Sequence, residues 1–389
     1  MANHVSPPDV QLQAAPAEPG TARAPAPSER LVSLDTFRGF TMFWIVGGEA
    51  LMIGLQHLGH NRVIDLIVHE LNHTPWIGLR FYDCIWPSFM LMVGVSVPLA
   101  FAKRSLTENY SQQLAHALRR ALILFLLGSV RESLFLRIPC LIELSSALQP
   151  IAVAYLVAFL VAKKSWKFQA ALAGGILAAY ACLLAFVPAP GVPAGSYVLN
   201  HNLVHSVDIA LLGQHRWDTW PYRDEGWGTF LSTIPTVSTT LFGLLIGELL
   251  LTARSKASKA KIIGGMGTIF LALGFGLSPL IPIEMKMWTT TYGLASAGVA
   301  CLELLLFFWL VDIAGFRKWT VVFVPFGMNA VFIYMLSSII PIGAGMGVFT
   351  GPIAAHLGSA GLLFQAAAVV LLEWMILYWM MKRRILVKP

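Results

Sequence analysis

Long apolar runs, each close to the thickness of a bilayer, alternate with short polar segments along most of this chain. A helix needs about 20 predominantly apolar residues to cross the hydrocarbon core. Ten runs approach that length: 34–57, 81–102, 117–136, 141–162, 168–187, 229–252, 262–282, 289–312, 319–340 and 360–381. Arg131 and Glu132 interrupt the end of the third. Between the ninth and tenth, PIGAGMGVFTGP is too rich in glycine for a regular helix and reads as an outer or re-entrant loop. The pattern predicts an all-α polytopic membrane protein, a bundle of about 10 transmembrane helices.

The basic residues orient that bundle. They cluster at Arg23, Arg30 and Arg38, at Lys103, Arg104, Arg119 and Arg120, and at Lys163, Lys164 and Lys167. Further clusters are Arg254, Lys256, Lys259 and Lys261, then Arg317 and Lys318, then Lys382, Arg383, Arg384 and Lys388. With both termini cytoplasmic, every second connection carries one cluster, as the positive-inside rule requires. The long segment 188–228 then lies outside, and the expected setting is a bacterial inner (cytoplasmic) membrane. A net charge of +7 spread through these short clusters points to the lipid bilayer as partner and not to nucleic acid.

Composition agrees with the pattern: 57% of the 389 residues are hydrophobic and 12% charged, which overturns the two or three soluble domains that length alone suggests. Residues 1–30 are rich in Ala and Pro and lack an apolar core segment, so they read as a disordered cytoplasmic tail ahead of a membrane domain at 31–389. Cys84, Cys140, Cys182 and Cys301 form no CxxC pair and imply neither a disulfide framework nor a metal centre.

Against this apolar background a few polar groups carry the chemistry. The stretch HTPWIGLRFYDCIWPSFMLMVGV places His73 ten residues before Asp83, which sits just inside a span. Histidine exchanges protons near neutral pH, and an ionisable group inside a span marks a buried site or a water-filled cavity by default. The alternative is an interfacial histidine beside an aspartate that only caps its helix. Glu49 lies deep in the first span or near its outer end, and faces the bundle interior, caps a break at Gly47 and Gly48, or sits in an outer vestibule without chemistry. Asp35 and Arg38, three apart, share a helix face at its start.

The segment 188–228 carries His201, His205, Asp208, His215, Trp217, Trp220, Asp224, Glu225 and Trp227. His201 and His205 share a face only if helical, and no third ligand follows at diagnostic spacing, so no metal is expected. The tryptophans suit either an interfacial belt or an apolar platform beside carboxylates for a polyhydroxylated or amine-bearing ligand. GLLIG in the sixth span permits close helix packing, and Asn329 and Tyr334 are polar groups inside the ninth. No P-loop, dinucleotide fingerprint or GxSxG elbow is present. Nor is there an obvious inverted repeat, which counts against a transporter.

SLDTFRGF, His73-Thr-Pro-Trp76-Ile-Gly78, Phe81-Tyr82-Asp83 with Pro87, Leu148-Gln149, Asp208, LLGQHRW with His215, Asp224-Glu225-Gly226, STIPTVSTTLFGLLIGE, KMWTTTY with Trp288, and FGMNAVFIYMLS follow one another in the order of one known family. Over roughly residues 31–382 the chain resembles the heparan-α-glucosaminide N-acetyltransferases. That resemblance implies a helical bundle passing an acetyl group from cytosolic acetyl-CoA, a co-substrate, to an amino sugar or glycan across the membrane. It implies His73 as the catalytic residue and Asp83 as its match in the following span. Glu49, Trp76, Asp208, His215, Asp224, Trp288 and Asn329 are the expected acceptor contacts. Arg38, Arg119 and Arg120, with Lys103, Arg104 and Arg254, are candidate attractors for CoA phosphates, or simply set topology. This chain departs from the family where the lysosomal member has an asparagine and here Glu49 stands, where arginine follows Leu-Gln and here Pro150 stands, and in a longer segment before His73. These departures bear on the acceptor more than on the fold.

In the implied reaction His73 is either the general base on the acceptor amine or an acetyl carrier between two half-reactions. Asp83 would fix its tautomer. Two other functions fit the same spans: an amino-sugar or small-solute permease using Glu49 and Asp83 as proton-coupled sites, and an accessory subunit of an envelope-polysaccharide system. The oligomeric state is open between a monomer and a homodimer.

Overall fold

A computed structural model describes residues 31–141, 143–213 and 222–387. The expected tail at 1–30 and the loop residues His215, Trp217 and Trp220 lie outside the described residues. The described chain is overwhelmingly helical, with one two-residue hairpin, β1 Tyr197–Val198 and β2 His201–Asn202. In order, the helices are α1 Val32–Leu58, α2 Arg62–Glu70, α3 Ile85–Arg104, α4 Tyr110–Leu136, α5 Leu148–Val161, α6 Trp166–Phe186 and α7 Leu203–Leu212. They continue with α8 Phe230–Leu251, α9 Lys256–Gly276, α10 Thr290–Phe308, α11 Val324–Met328, α12 Ala330–Ile339, α13 Ile342–His356 and α14 Gly361–Lys382.

Among the described residues, 8 helices are long and apolar enough to cross a membrane, or 9 if the bent pair α12 and α13 is one span. The protein is an all-α polytopic integral membrane protein. Three of the expected segments differ in detail. The fourth span shortens to α5, 14 residues preceded by irregular chain at 143–147. The ninth breaks into a tight turn at Lys318–Val322, α11 and α12, because Asn329 (φ −125°, ψ 40°) leaves the helical region between them. PIGAGMGVFTGP is helical after all: α13 runs through its glycines and meets α12 at 70°. Packing supplies what propensity withholds there, since α13 rests along α14.

α3 and α8 form the centre. Gly94, Gly243 and Gly247 bring their backbones together so closely that a Cβ on Gly94 would overlap the carbonyl of Thr240, and one on Gly243 that of Leu91. This is the small-residue contact expected of GLLIG, made between α3 and α8. α1 and α10 pack around this pair, with α14 against α1 and α5 and α6 against α8. The helices alternate in direction. The second half of α1, the end of α4 and the starts of α3, α5 and α8 all line one cavity at one end of the bundle. Lys103 and Arg104 end α3, and Lys163, Lys164 and Arg254 follow α5 and α8, all at the opposite ends of these helices.

Candidate functional site

Pro75 and Gly78 (φ +136°) keep the chain between α2 and α3 out of a helix. The segment is instead pinned against residues 283–284: the Gly78 N–H donates to Ile283 O (2.8 Å), and Ile77 pairs with Glu284. Glu70 at the end of α2 accepts the N–H of Phe81 (3.0 Å), and a single tight turn, Tyr82–Cys84, leads into α3. That turn carries Asp83 to the centre of the loop, where 1% of its surface is exposed.

The Asp83 carboxylate organises the segment. Oδ1 lies 2.8 Å from His73 Nδ1, while Oδ2 accepts from Thr74 Oγ1 (2.6 Å) and the Arg80 N–H (3.0 Å). An ionised carboxylate only accepts, so Nδ1 carries the proton and Nε2 is left as the basic nitrogen. The Arg80 guanidinium donates to His73 O (2.9 Å), and Tyr292 of α10 donates to the Asp83 backbone carbonyl (2.6 Å). Asp83 is therefore more than a helix cap: the α3 cap position, Cys84, makes no side-chain capping bond.

His73 opens onto a cavity of about 740 Å³. Its imidazole, 40% exposed, stands 4.8 Å from the ring of Tyr82 and 5.9 Å from that of Trp227. On the same side lies Lys286, 6% exposed, its Nζ 3.3 Å from Pro75 O, 4.0 Å from Glu225 and 5.8 Å from the centre of the Trp227 ring. Burial lowers the Lys286 pKa against the opposing carboxylates of Glu225, Glu284 and Asp83. Beneath it, burial pushes the Glu284 carboxyl up to about 7, although the N–H groups of Met287 and Lys286 both donate to it. Glu49, Arg131, Glu132 and Tyr334 also line the cavity. Arg131 pairs with Glu132 at 2.8 Å, so both groups sit in the last turns of α4 without ending it. Glu49 is exposed on an unbroken α1, so it caps no break; Gly47 and Gly48 are instead contact points for Val370 and Tyr82.

Of the expected catalytic and binding residues, His73, Asp83 and Glu49 line this cavity, and among the other described ones Trp76, Asp208, Asp224, Trp288, Asn329, Arg38, Arg119 and Arg120 do not. Trp76 donates its indole N–H to Tyr197 O (2.8 Å), fastening the outer hairpin to the His73 segment. Asp208, wholly buried, accepts from Thr229 Oγ1 (2.8 Å) and from the N–H groups of Thr229 (2.9 Å) and Phe230 (3.2 Å), so it caps α8. α7 belongs to the outer loop, and burial raises its Asp208 carboxyl to about 6 against those hydrogen bonds. Trp288 (φ +50°) is buried behind the site, edge-on to Trp86 and Tyr292, and Trp86 is the one that reaches the cavity. Asn329 ties the break before α12 to the chain end, donating to Ile385 O (3.1 Å) and accepting from the Val387 N–H (2.9 Å).

Asp224 is exposed, and its neighbour Glu225 is the one facing the cavity. Arg38 pairs with Asp35 at 2.7 Å, as the three-residue spacing predicts. Arg119 is exposed on α4, and Arg120 stacks 4.7 Å from the ring of Tyr155. His201 lies in β2 and His205 in α7, so the two never share a helix face. Lys286 and Arg131 are not among the contacts expected from the sequence, whereas Glu225 and Trp227 belong to the carboxylates and tryptophans of the segment 188–228. The available signal was charge enclosed by apolar residues, as in IPIEMKMW and SVRESLF. No family model matches this sequence, and no curated protein matches it either.

Proposed function

We propose that the protein is a transmembrane N-acetyltransferase of the heparan-α-glucosaminide type, taking its acetyl group from cytosolic acetyl-CoA and delivering it to an amine in the His73 cavity. The observation that carries this reading is the His73–Asp83 pair opening onto a cavity of about 740 Å³. A buried carboxylate behind Nδ1 is the arrangement that makes Nε2 a general base and steadies the imidazolium that follows. The amine nitrogen attacks the thioester carbonyl carbon while Nε2 takes its proton. The carbon–sulfur bond then breaks, and the CoA sulfur leaves with the proton returned by Nε2.

The negative charge that develops on the carbonyl oxygen needs a preorganised donor. Lys286 is the candidate, held by Pro75 O two residues from His73 and already stripped of most of its water. The carboxylates of Glu49 and Glu225 suit a cationic amine on arrival. On the orientation given by the basic clusters, this end of the bundle is extracytoplasmic. Direct transfer is preferred over an acetyl-histidine, because His73 is partly open to water and an acyl-imidazole there would hydrolyse. The test is acetyl-CoA consumption by the protein in nanodiscs with a panel of amino sugars, wild type against His73→Ala. Acceptor-dependent CoA release that disappears in the variant is the expected result. Release unchanged by the substitution would sink the assignment of His73.

A further inference from the structure

Four carboxylates line the cavity, Glu49, Asp83, Glu132 and Glu225, against three permanent cations, Arg80, Arg131 and Lys286. With His73 neutral, the lining carries one negative charge in excess. Three of the carboxylates are engaged. Asp83 is held by His73 at 2.8 Å and Glu132 by Arg131 at 2.8 Å, while Glu225 accepts the Trp227 indole N–H at 2.7 Å with Lys286 Nζ 4.0 Å away. Arg80 is turned to the backbone, donating to His73 O. Glu49 is the exception: among the described residues its carboxylate makes neither an ion pair within 4 Å nor a hydrogen bond.

Glu49 lies nine residues before the end of α1, about 13 Å along the helix. An unmatched carboxylate at that depth marks a functional position by default. Its charge is turned to the cavity, since it acts on Tyr82 and Arg131, both of which line it. The carboxylates that act on Lys286 are instead Glu225, Glu284 and Asp83, around His73. The cavity therefore has two charged regions, and Tyr82 stands between them. Its ring is 4.8 Å from that of His73, and its edge lies against Gly48, next to Glu49, where an added Cβ would come within 2.7 Å of it.

A group held by Glu49 is not the one that reacts. The attacking amine must give up its proton, and an ion pair with a carboxylate favours the ammonium form. We propose that Glu49 binds a second ammonium group of the acceptor, so that the acceptor is a diamine with its two nitrogens about one sugar ring apart. The first nitrogen gains the bond to the acetyl carbon, and its proton passes to Nε2 of His73 and on to the CoA sulfur. The second keeps all its bonds and its charge. The reaction at the first amine rests on the reading above; the anchor for the second rests on the charges that line the cavity.

The experiment uses the full chain in nanodiscs with two acceptors that differ in one group, glucosamine and its analogue with an amine in place of the primary hydroxyl. Binding is read by titration calorimetry without acetyl-CoA, and transfer by CoA release with it, in wild type, Glu49→Gln and Glu49→Asp. Wild type should bind the diamine at least about tenfold more tightly than glucosamine. Glu49→Asp should keep that preference and Glu49→Gln should lose it. Equal constants for the two sugars in wild type, with CoA released, would overturn the anchor and leave the transferase standing. A preference abolished by Glu49→Gln, with no CoA released from either sugar, would keep the anchor and remove the transferase. Release slowed equally for both saturating sugars in Glu49→Gln, with no difference in their binding, would make Glu49 part of the proton chemistry and overturn its role as an anchor.

Discussion

Oδ1 of Asp83 lies 2.8 Å from Nδ1 of His73, and the second carboxylate oxygen is taken up by Thr74 and the backbone of Arg80. Asp83→Asn keeps the volume but offers Nδ1 an amide, whose N–H₂ favours the tautomer with the proton on Nε2. Nε2 then no longer accepts a proton. Turnover should fall by about 10²-fold or more, with a smaller change in KM and normal elution on gel filtration. Initial rates of CoA release decide it, and wild-type turnover would remove Asp83 from the chemistry.

Glu284 gives a pH signature of its own. Its carboxyl is raised from about 4.5 in the unfolded chain to about 7 in the fold. Between those values the folded state binds the proton and the unfolded state does not. Stability is therefore highest below about 4.5 and declines as pH rises towards 7, by at most about 3 kcal/mol. Glu284→Gln should flatten that part of the pH dependence, read as Tm from pH 4.5 to 8. Parallel curves for variant and wild type would mean that Glu284 is ionised throughout.

Asp208 is a structural cap on this description. Asp208→Ala should lower stability by about 1–2 kcal/mol through the freed N–H groups of Thr229 and Phe230, with Asp208→Asn milder. The check is thermal unfolding beside acceptor KM. A KM effect larger than the loss of stability would make Asp208 an acceptor contact after all.

Gly243→Ala places a methyl group against the Leu91 carbonyl, where nothing but backbone movement makes room. Overpacking of this kind costs about 1–3 kcal/mol, and the variant should show a lower Tm and reduced yield. Gly174→Ala on α6, where an added Cβ meets nothing within 4 Å, is the control expected to be neutral.

Neutralising Arg119 and Arg120 together should raise the apparent KM for acetyl-CoA while leaving that for the acceptor unchanged. An unchanged acetyl-CoA constant would return the pair to setting topology. Arg120→Ala alone should also cost about 1 kcal/mol of stability through its lost contact with Tyr155.

The spans were legible because hydropathy is a property of local sequence, and the His73–Asp83 pair because ten residues with a proline and a glycine make a compact turn. Asn329, like Glu49, stands out in the sequence as a polar group in an apolar run, whereas Asp208 and Trp288 enter through the motifs that carry the resemblance. Burial resolves them differently. Asp208 and Asn329 satisfy backbone groups at a helix start and a helix break, and Trp288 fills volume behind Trp86. IPIEMKMW marks Lys286 as a charge among apolar residues, but its place beside His73 emerges only once the pairing at 283–284 carries it to Pro75, 211 residues away in sequence. The break before α12 escaped because hydropathy does not register a single residue leaving helical φ and ψ.

The contact of α3 with α8 through bare glycine backbone has a kinetic counterpart. Amides there are shielded on every side and should open only with the whole bundle, whereas the fold-back before α5 hangs on the hydroxyls of Ser129 and Ser133 and the amide of Gln149. Hydrogen exchange should therefore divide the wall of the cavity in two, a slow face carrying Asp83 and a fast face carrying Leu144 and Ser145. Opening on that side alone should leave the contact between His73 and Asp83 in place.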